Sequence, residues 1–201
     1  MNKPIMNCLL CERELQGGIG WKELLTAVLP KTICQRCEQR FERVTQQLRA
    51  DVVTLFHYNE AMKDYLHRYK FMYDVVLAHV FNREISAHLK RESRLIIPIP
   101  MHPESLKQRT FSHVDEWLKA ANIPFAHHLT KQSSEQQSKK TRQERLATVQ
   151  LFEVKDPAAI KDKNIVLVDD IYTTGTTFEH AKKALLEAGA HTVEGFILIH
   201  S

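Results

Sequence analysis

The stretch Ile165-Val166-Leu167-Val168-Asp169-Asp170-Ile171-Tyr172-Thr173-Thr174-Gly175-Thr176-Thr177 constrains this chain more than any other. Its four leading apolar residues read as a strand buried on both faces. That strand is expected to end at Asp169 and Asp170, placing both carboxylates at the carboxyl edge of a sheet, where open α/β folds bind ligands. A loop of small hydroxyl residues follows. A helix is then expected from Thr177 to Ala188, because Phe178, Ala181, Leu185 and Ala188 fall on one face. Backbone N–H groups at a helix start carry partial positive charge and can cradle a phosphate. Thr173, Thr174, Thr176 and Thr177 add hydroxyl donors, and Gly175 lets the backbone come close. Carboxylates accept hydrogen bonds from the paired hydroxyls of a sugar. The order of strand, acids, hydroxyl loop and helix therefore suits a sugar phosphate. Two acids after a strand could instead hold Mg²⁺, and the threonine loop could be a helix cap alone. Neither alternative accounts for acids and loop together.

Other segments supply the rest of an α/β alternation. Val52 to Phe56, Leu95 to Pro100, Phe125 to Leu129 and Val193 to Ile199 read as strands. Leu77, Phe81, Ile85 and Leu89 form one apolar helical stripe, expected to be core. Ser112 with Asp115 and Thr141 with Glu144 are capping boxes, and Gly189 stands where a helix end favours a left-handed residue. The polar run Glu38 to Arg49 reads as a linker helix. Short apolar strands alternating with helices indicate a parallel sheet.

The N-terminal part reads differently. Cys8-Leu-Leu-Cys11 and Cys34-Gln-Arg-Cys37 are two CxxC pairs 22 residues apart, with a turn-rich insert from Gln16 to Gly20. A two-residue gap lets both thiolates of a knuckle face one ion, and two knuckles make a tetrahedral Cys₄ zinc site. A redox CxxC is the alternative, weakened by the duplication and by the lack of a thioredoxin-like βαβ. Residues 1–45 are thus read as a zinc ribbon and 50–201 as the α/β domain. Lys31, Arg36, Arg40 and Arg43 lie near the ribbon, but a charge run is usually a solvated face. A net charge of +4 and a pI near 8.8 suit anionic ligands without choosing among them. No apolar run is long enough for a membrane span, and no secretory signal is seen at the start, so a cytoplasmic location is expected. The 11 histidines are scattered and read as surface or structural, with positional interest only at His102.

The acid–threonine run resembles the 5-phosphoribosyl 1-pyrophosphate (PRPP) motif of type I phosphoribosyltransferases. Joined to a Cys₄ ribbon, it is similar over nearly the whole chain to the ComF family of competence proteins. Tyr69-Lys70-Phe71-Met72-Tyr73-Asp74 resembles that family's Lys-Phe-x-Gly-Asp element, with Tyr73 in place of glycine. Pro98 to Pro103 matches its Pro-x-Pro-x-His-Pro loop, and Arg109 to His113 resembles its Arg-Gly-Phe-Asn-Gln, with Arg109 and Phe111 retained. Gln136, Gln137 and Arg142 to Arg145 lie where the family has a Thr/Gln- and Arg-rich stretch, with Thr148 replacing its Asn.

The resemblance implies that Asp169 and Asp170 hold ribose hydroxyls and that Thr173 to Thr177 hold the 5′-phosphate. It further implies that Met101, His102 and Arg109 belong to a pyrophosphate loop, and that Mg²⁺ accompanies PRPP. The segment Lys131 to Arg145 stands where such enzymes close a flexible loop. Thr173 occupies the position where some purine enzymes carry an acid, so no catalytic residue is assigned. The last core strand is followed at once by Ser201, which leaves the ribbon and the helices from Glu60 to Arg91 as material for an acceptor-holding hood. Tyr58, Tyr65, Tyr69, Phe71 and Tyr73 are its aromatics, read mainly as core. The family's association with DNA uptake in transformation leaves three expectations open. One is a transferase acting on an unidentified acceptor. The second is a factor handling single-stranded DNA with PRPP as its ligand. The third is an adaptor docking a competence helicase or channel, which would hold the protein at the inner face of the membrane.

Overall fold

In the computed structural model, residues 5–15, 29–47, 49–90, 93–131 and 151–201 are described. The turn-rich insert from Gln16 to Gly20, the capping box at Thr141 and residues 132–145 of the expected flexible loop lie outside them.

Four strands form the central sheet: β1 (Val52–His57), β2 (Leu95–Pro98), β5 (Asn164–Tyr172) and β6 (Thr192–His200). Their order is β1-β6-β5-β2, and every pairing is parallel. A short antiparallel pair, β3 (Leu129–Lys131) and β4 (Phe152–Val154), lies apart from that sheet. Among the described residues the α-helices are α1 (Gln35–Glu38), α2 (Glu60–Phe71), α3 (Asn82–Leu89), α4 (Pro103–Arg109), α5 (His113–Ala120), α6 (Pro157–Ile160) and α7 (Thr176–Glu187); a 3₁₀ segment, Val75–Phe81, leads into α3. This is the expected parallel α/β architecture.

Alternate residues of β5 feed two apolar clusters, because successive strand side chains point to opposite faces. Val166 and Val168 join Tyr65, Ile85 and Trp117 on one face, while Ile165 and Leu167 join Phe178, Ala181 and Leu185 of α7 on the other. The stripe Leu77, Phe81, Ile85 and Leu89 is buried as expected, although its first half is 3₁₀. Cys8, Ile33, Cys37 and Phe41 belong to the first cluster, so the cysteine knuckles pack directly onto the α/β core.

Two local expectations need correction. The run Glu38 to Arg49 is not a linker helix: helix α1 stops at Glu38, and the chain then runs extended and antiparallel beside β1. Val44 N–H donates to Leu55 O, His57 N–H donates to Glu42 O, and Gln47 caps both backbone groups of Thr54. An edge strand of a buried sheet needs its outer N–H and C=O groups satisfied, and this polar run does so. The strand expected from Phe125 to Leu129 begins only at Leu129. Before it, Ala126 N–H reaches Ile96 O at the outer edge of β2. His127 therefore stands in a loop, with Nε2 3.1 Å from Asp115 Oδ2.

Candidate functional site

Strand β5 does not end at the acids; it continues through them to Tyr172, paired with β6 as far as His200. On its other side β2 stops at Pro98, opposite Val168. Asp169 and Asp170 thus overhang the end of β2, which produces the expected position at the carboxyl edge by unequal strand length. Five residues after Asp170, Gly175 turns the chain at φ +77° and serves as N-cap of α7, which begins at Thr176. A Cβ at Gly175 would lie 2.3 Å from Tyr172 Oη, so the turn tolerates no side chain. Thr173, Thr174 and Thr176 are exposed around this helix start, with Thr174 and Thr176 hydroxyls 2.8 Å apart.

Each acid has its own surroundings. Asp169 Oδ1 accepts the N–H of Asp170 at 2.8 Å. Burial, then the charge of Asp170, pushes the Asp169 carboxyl well above the usual range. Asp170 Oδ1 accepts the N–H of Ile171 at 2.7 Å, while its Oδ2 is shared by Lys70 Nζ and His113 Nε2, the latter at 2.8 Å. Burial alone would raise Asp170, but the Lys70 charge and the His113 contact hold it below the ordinary carboxylate range. Burial lowers His113 despite its acid partner. This pair of cationic and imidazole groups was not foreseen in the sequence, where His113 counted only as a departure from the resembling motif.

Both partners are carried by an aromatic wall. Tyr69 donates its hydroxyl to His113 O at 2.7 Å, and its ring stacks between Tyr65 and Trp117 at 5.7 and 5.6 Å. Trp117 Nε1 donates to Tyr65 Oη at 2.7 Å, which in turn donates to Leu77 O. Tyr65 and Tyr69 are therefore core, whereas Tyr58, Phe71 and Tyr73 are exposed. Tyr73 holds φ +58°, the left-handed conformation that suits the glycine of the resembling element.

The loop after β2 lies at the same sheet edge as the acids. In it His102 caps α4, its Nδ1 3.4 Å from Glu104 N. Arg109, at the other end of α4, lays its guanidinium 5.3 Å from the Phe71 ring centre. Among the described residues no contact joins Met101, His102 or Arg109 to the acids directly.

The four cysteines converge as expected. Their Sγ atoms all lie within 4.8 Å of one another, with Cys11 and Cys34 3.7 Å apart. Tetrahedral zinc at about 2.3 Å from each sulfur needs sulfurs roughly 3.8 Å apart, so the donor set fits that ion and is consistent with a zinc ribbon. Burial raises Cys8, but N–H groups led by that of Cys34 outweigh it and bring the thiol down to about 7. N–H groups aimed at a sulfur suit a thiolate ligand.

With this geometry in view, comparison with known proteins is decisive. A phosphoribosyl transferase domain model matches residues 78–200. A competence protein ComFC of Streptococcus pneumoniae is 33% identical over 96% of this chain and 100% of its own length. This chain belongs to the ComF family. A second ComFC, from Bacillus subtilis, is 27% identical over 96% of this chain and 95% of its own. Among solved structures, a glutamine PRPP amidotransferase from B. subtilis aligns with 60% of this chain and 25% of its own at 20% identity and a TM-score of 0.43. The domain match at 78–200 contains the acid–threonine run, and the two ComFC matches each cover 96% of this chain.

Proposed function

We propose that this ComF-family chain binds PRPP with Mg²⁺ and acts in the handling of DNA taken up during transformation. The supporting observation is the placing of two unlike carboxylates and the exposed N-terminus of the 12-residue helix α7 at one sheet edge, six residues apart in the chain. Asp169 and Asp170 receive the ribose hydroxyls, and the backbone and hydroxyls of Thr173 to Thr177 receive the 5′-phosphate. Met101, His102 and Arg109 flank the pyrophosphate. Mg²⁺ takes oxygen ligands and often rides on substrate phosphates. Since Lys70 and His113 already occupy Asp170, the ion's fit is to the pyrophosphate oxygens, whose charge it neutralises when bound. Zn²⁺ in Cys8, Cys11, Cys34 and Cys37 has a structural role. The division into a ribbon at 1–45 and a phosphoribosyltransferase-like domain at 50–201 belongs to the same reading. So does a cytoplasmic location; among the described residues no helix is long and apolar enough to cross a membrane.

Single-stranded DNA is the second ligand of this reading. Near the knuckles Arg36 is exposed, while Lys31, Arg40 and Arg43 meet Glu38, Asp64 and Glu84 at 3.1–3.6 Å. Exposed pairs of this kind are weak and can be exchanged for phosphates. A helicase or channel of the competence apparatus is the expected protein partner. Calorimetry with PRPP and Mg²⁺, repeated with single-stranded DNA at two salt concentrations, tests both. Saturable PRPP heat and DNA affinity falling steeply with salt are expected; a flat PRPP titration contradicts the reading.

A second reading, transfer of phosphoribose to an acceptor, draws on the exposed Phe71 and Tyr73, which offer a stacking surface. It lacks an acid at Thr173 and a held acceptor, and proximity can supply roughly 7–11 kcal/mol of a barrier. No pyrophosphate release is expected with free adenine, guanine, hypoxanthine, uracil or orotate. Turnover of about 1 s⁻¹ with any of them would favour the transferase.

A further inference from the structure

Lys70 is the one buried lysine among the described residues, at 7% exposure near the end of α2. Its place is unusual in the helix: Leu66 and Met62, four and eight positions before it, are core residues on the same face. A charge on an apolar stripe is costly unless paired. The pairing runs 100 residues along the chain to Asp170 Oδ2, which also accepts from His113 at 2.8 Å. His113 is 5% exposed, and its Nδ1 has no hydrogen-bond partner among the described residues. Tyr65, Tyr69 and Trp117 stack beside them as the apolar wall. What Lys70 and His113 accomplish is to fix one carboxylate and cancel its charge at the edge where an anion with several charges is to bind.

Resting on the reading of Asp169 and Asp170 as ribose acceptors, we propose that Lys70 and His113 are positioning residues for PRPP. They orient and charge-compensate Asp170, so that a polyanionic sugar phosphate meets a hydrogen-bonding pair of acids with little net repulsion. Asp170 Oδ2 is aimed from two sides, and the second lone pair of Oδ1 stays available to a hydroxyl, beside the N–H of Ile171. Lys70 reaches the ligand only through Asp170. The opposite protonation tendencies of the two acids agree with this division: one accepts as a carboxylate, the other can also donate.

A double-mutant cycle on the full chain, read by PRPP–Mg²⁺ titration, tests the proposal. Lys70→Met keeps length and apolar packing while removing charge; Asp170→Asn keeps shape and removes the group Lys70 serves. Lys70→Met is expected to weaken PRPP binding at least tenfold in the native background and less than twofold in the Asp170→Asn background. A merely structural lysine gives the same loss in both backgrounds, and that result overturns the proposal, as does no loss in either. If Lys70→Met does not fold by circular dichroism, His113→Gln carries the same cycle, with a loss of threefold or more expected only where Asp170 is present. Equal losses for His113→Gln in the two backgrounds, or none, overturn it equally. Native protein that does not bind PRPP removes the underlying reading instead, and is recognised as such before any variant is compared.

Discussion

Asp51 ties the first core strand to the last helix. Its carboxylate takes two hydrogen bonds from Arg49 at 2.8 and 2.9 Å and a third from Lys182 of α7 at 2.6 Å. The Arg49 bonds first, against some burial, and then Lys182 hold Asp51 well below the ordinary carboxylate range. A depressed folded-state pKa contributes stability that is fully present above the unfolded value and is lost as pH falls through the folded one. Asp51→Asn is therefore expected to lower stability at pH 7 by roughly 1–2 kcal/mol, with the gap to the native chain closing below about pH 4. Melts of both proteins from neutral to acid pH check it; a gap that stays constant with pH would assign the loss to packing alone. Arg49 itself also meets Glu179 of α7 and Tyr172 of β5, so this one residue joins the start of β1 to β5 and to the helix whose start faces the proposed phosphate site.

At the scale of elements, the segment between α1 and β1 is the least ordinary. It has the composition of a linker helix and acts instead as a sheet edge. Gln47 replaces a neighbouring strand at Thr54: its side-chain oxygen accepts the Thr54 N–H at 2.8 Å, and its amide donates to Thr54 O at 2.9 Å. Thr54 is 6% exposed, so losing this partner strands two buried backbone groups. Gln47→Ala is expected to cost about 1–3 kcal/mol, with Gln47→Glu, which keeps only the acceptor, intermediate; a chemical-denaturation midpoint unchanged by both would show that water serves Thr54 as well. Helix α2 links two sites in a comparable way. Arg68 donates to the carbonyls of Leu9 and Leu10 in the first cysteine knuckle, and two residues later Lys70 meets Asp170. Purified protein is expected to hold about one zinc per chain. Cys8→Ser or Cys37→Ser should lose the metal and destabilise the N-terminal segment, since both cysteines sit in the core cluster. Full metal content in a variant lacking all four cysteines would place the ion elsewhere.

Taken as a whole molecule, the parts that were legible in the sequence are those encoded locally. Strand β5, its acids, the Gly175 turn and helix α7 occupy one uninterrupted stretch, and each CxxC pair is a self-contained turn. The extent of β5 was not legible, because apolar pattern marks burial while the strand continues, by pairing with β6, beyond its buried half. Long-range partners were not legible. Lys70 and His113 lie 100 and 57 residues from Asp170, and nothing in their own neighbourhoods names it. A signal did exist in Lys70: a lone cation four residues after Leu66 on an apolar helical face is a charge that needs a buried partner. That signal lies in the helix geometry of Lys70 and not in the resemblance of the Tyr69–Asp74 element. The edge pairing of residues 42–44 was not legible for the opposite reason, since polar residues pairing through their backbone leave no periodicity.

The acids beside the α7 N-terminus are proposed to recognise a ribose phosphate. Titration of PRPP and Mg²⁺ into the native chain and into an Asp169→Ala, Asp170→Ala variant, each first shown to be folded by circular dichroism, tests this most directly. Saturable binding by the native chain and a loss of at least ~3 kcal/mol in the variant are the expected result. Equal affinity in the two folded proteins would contradict the account.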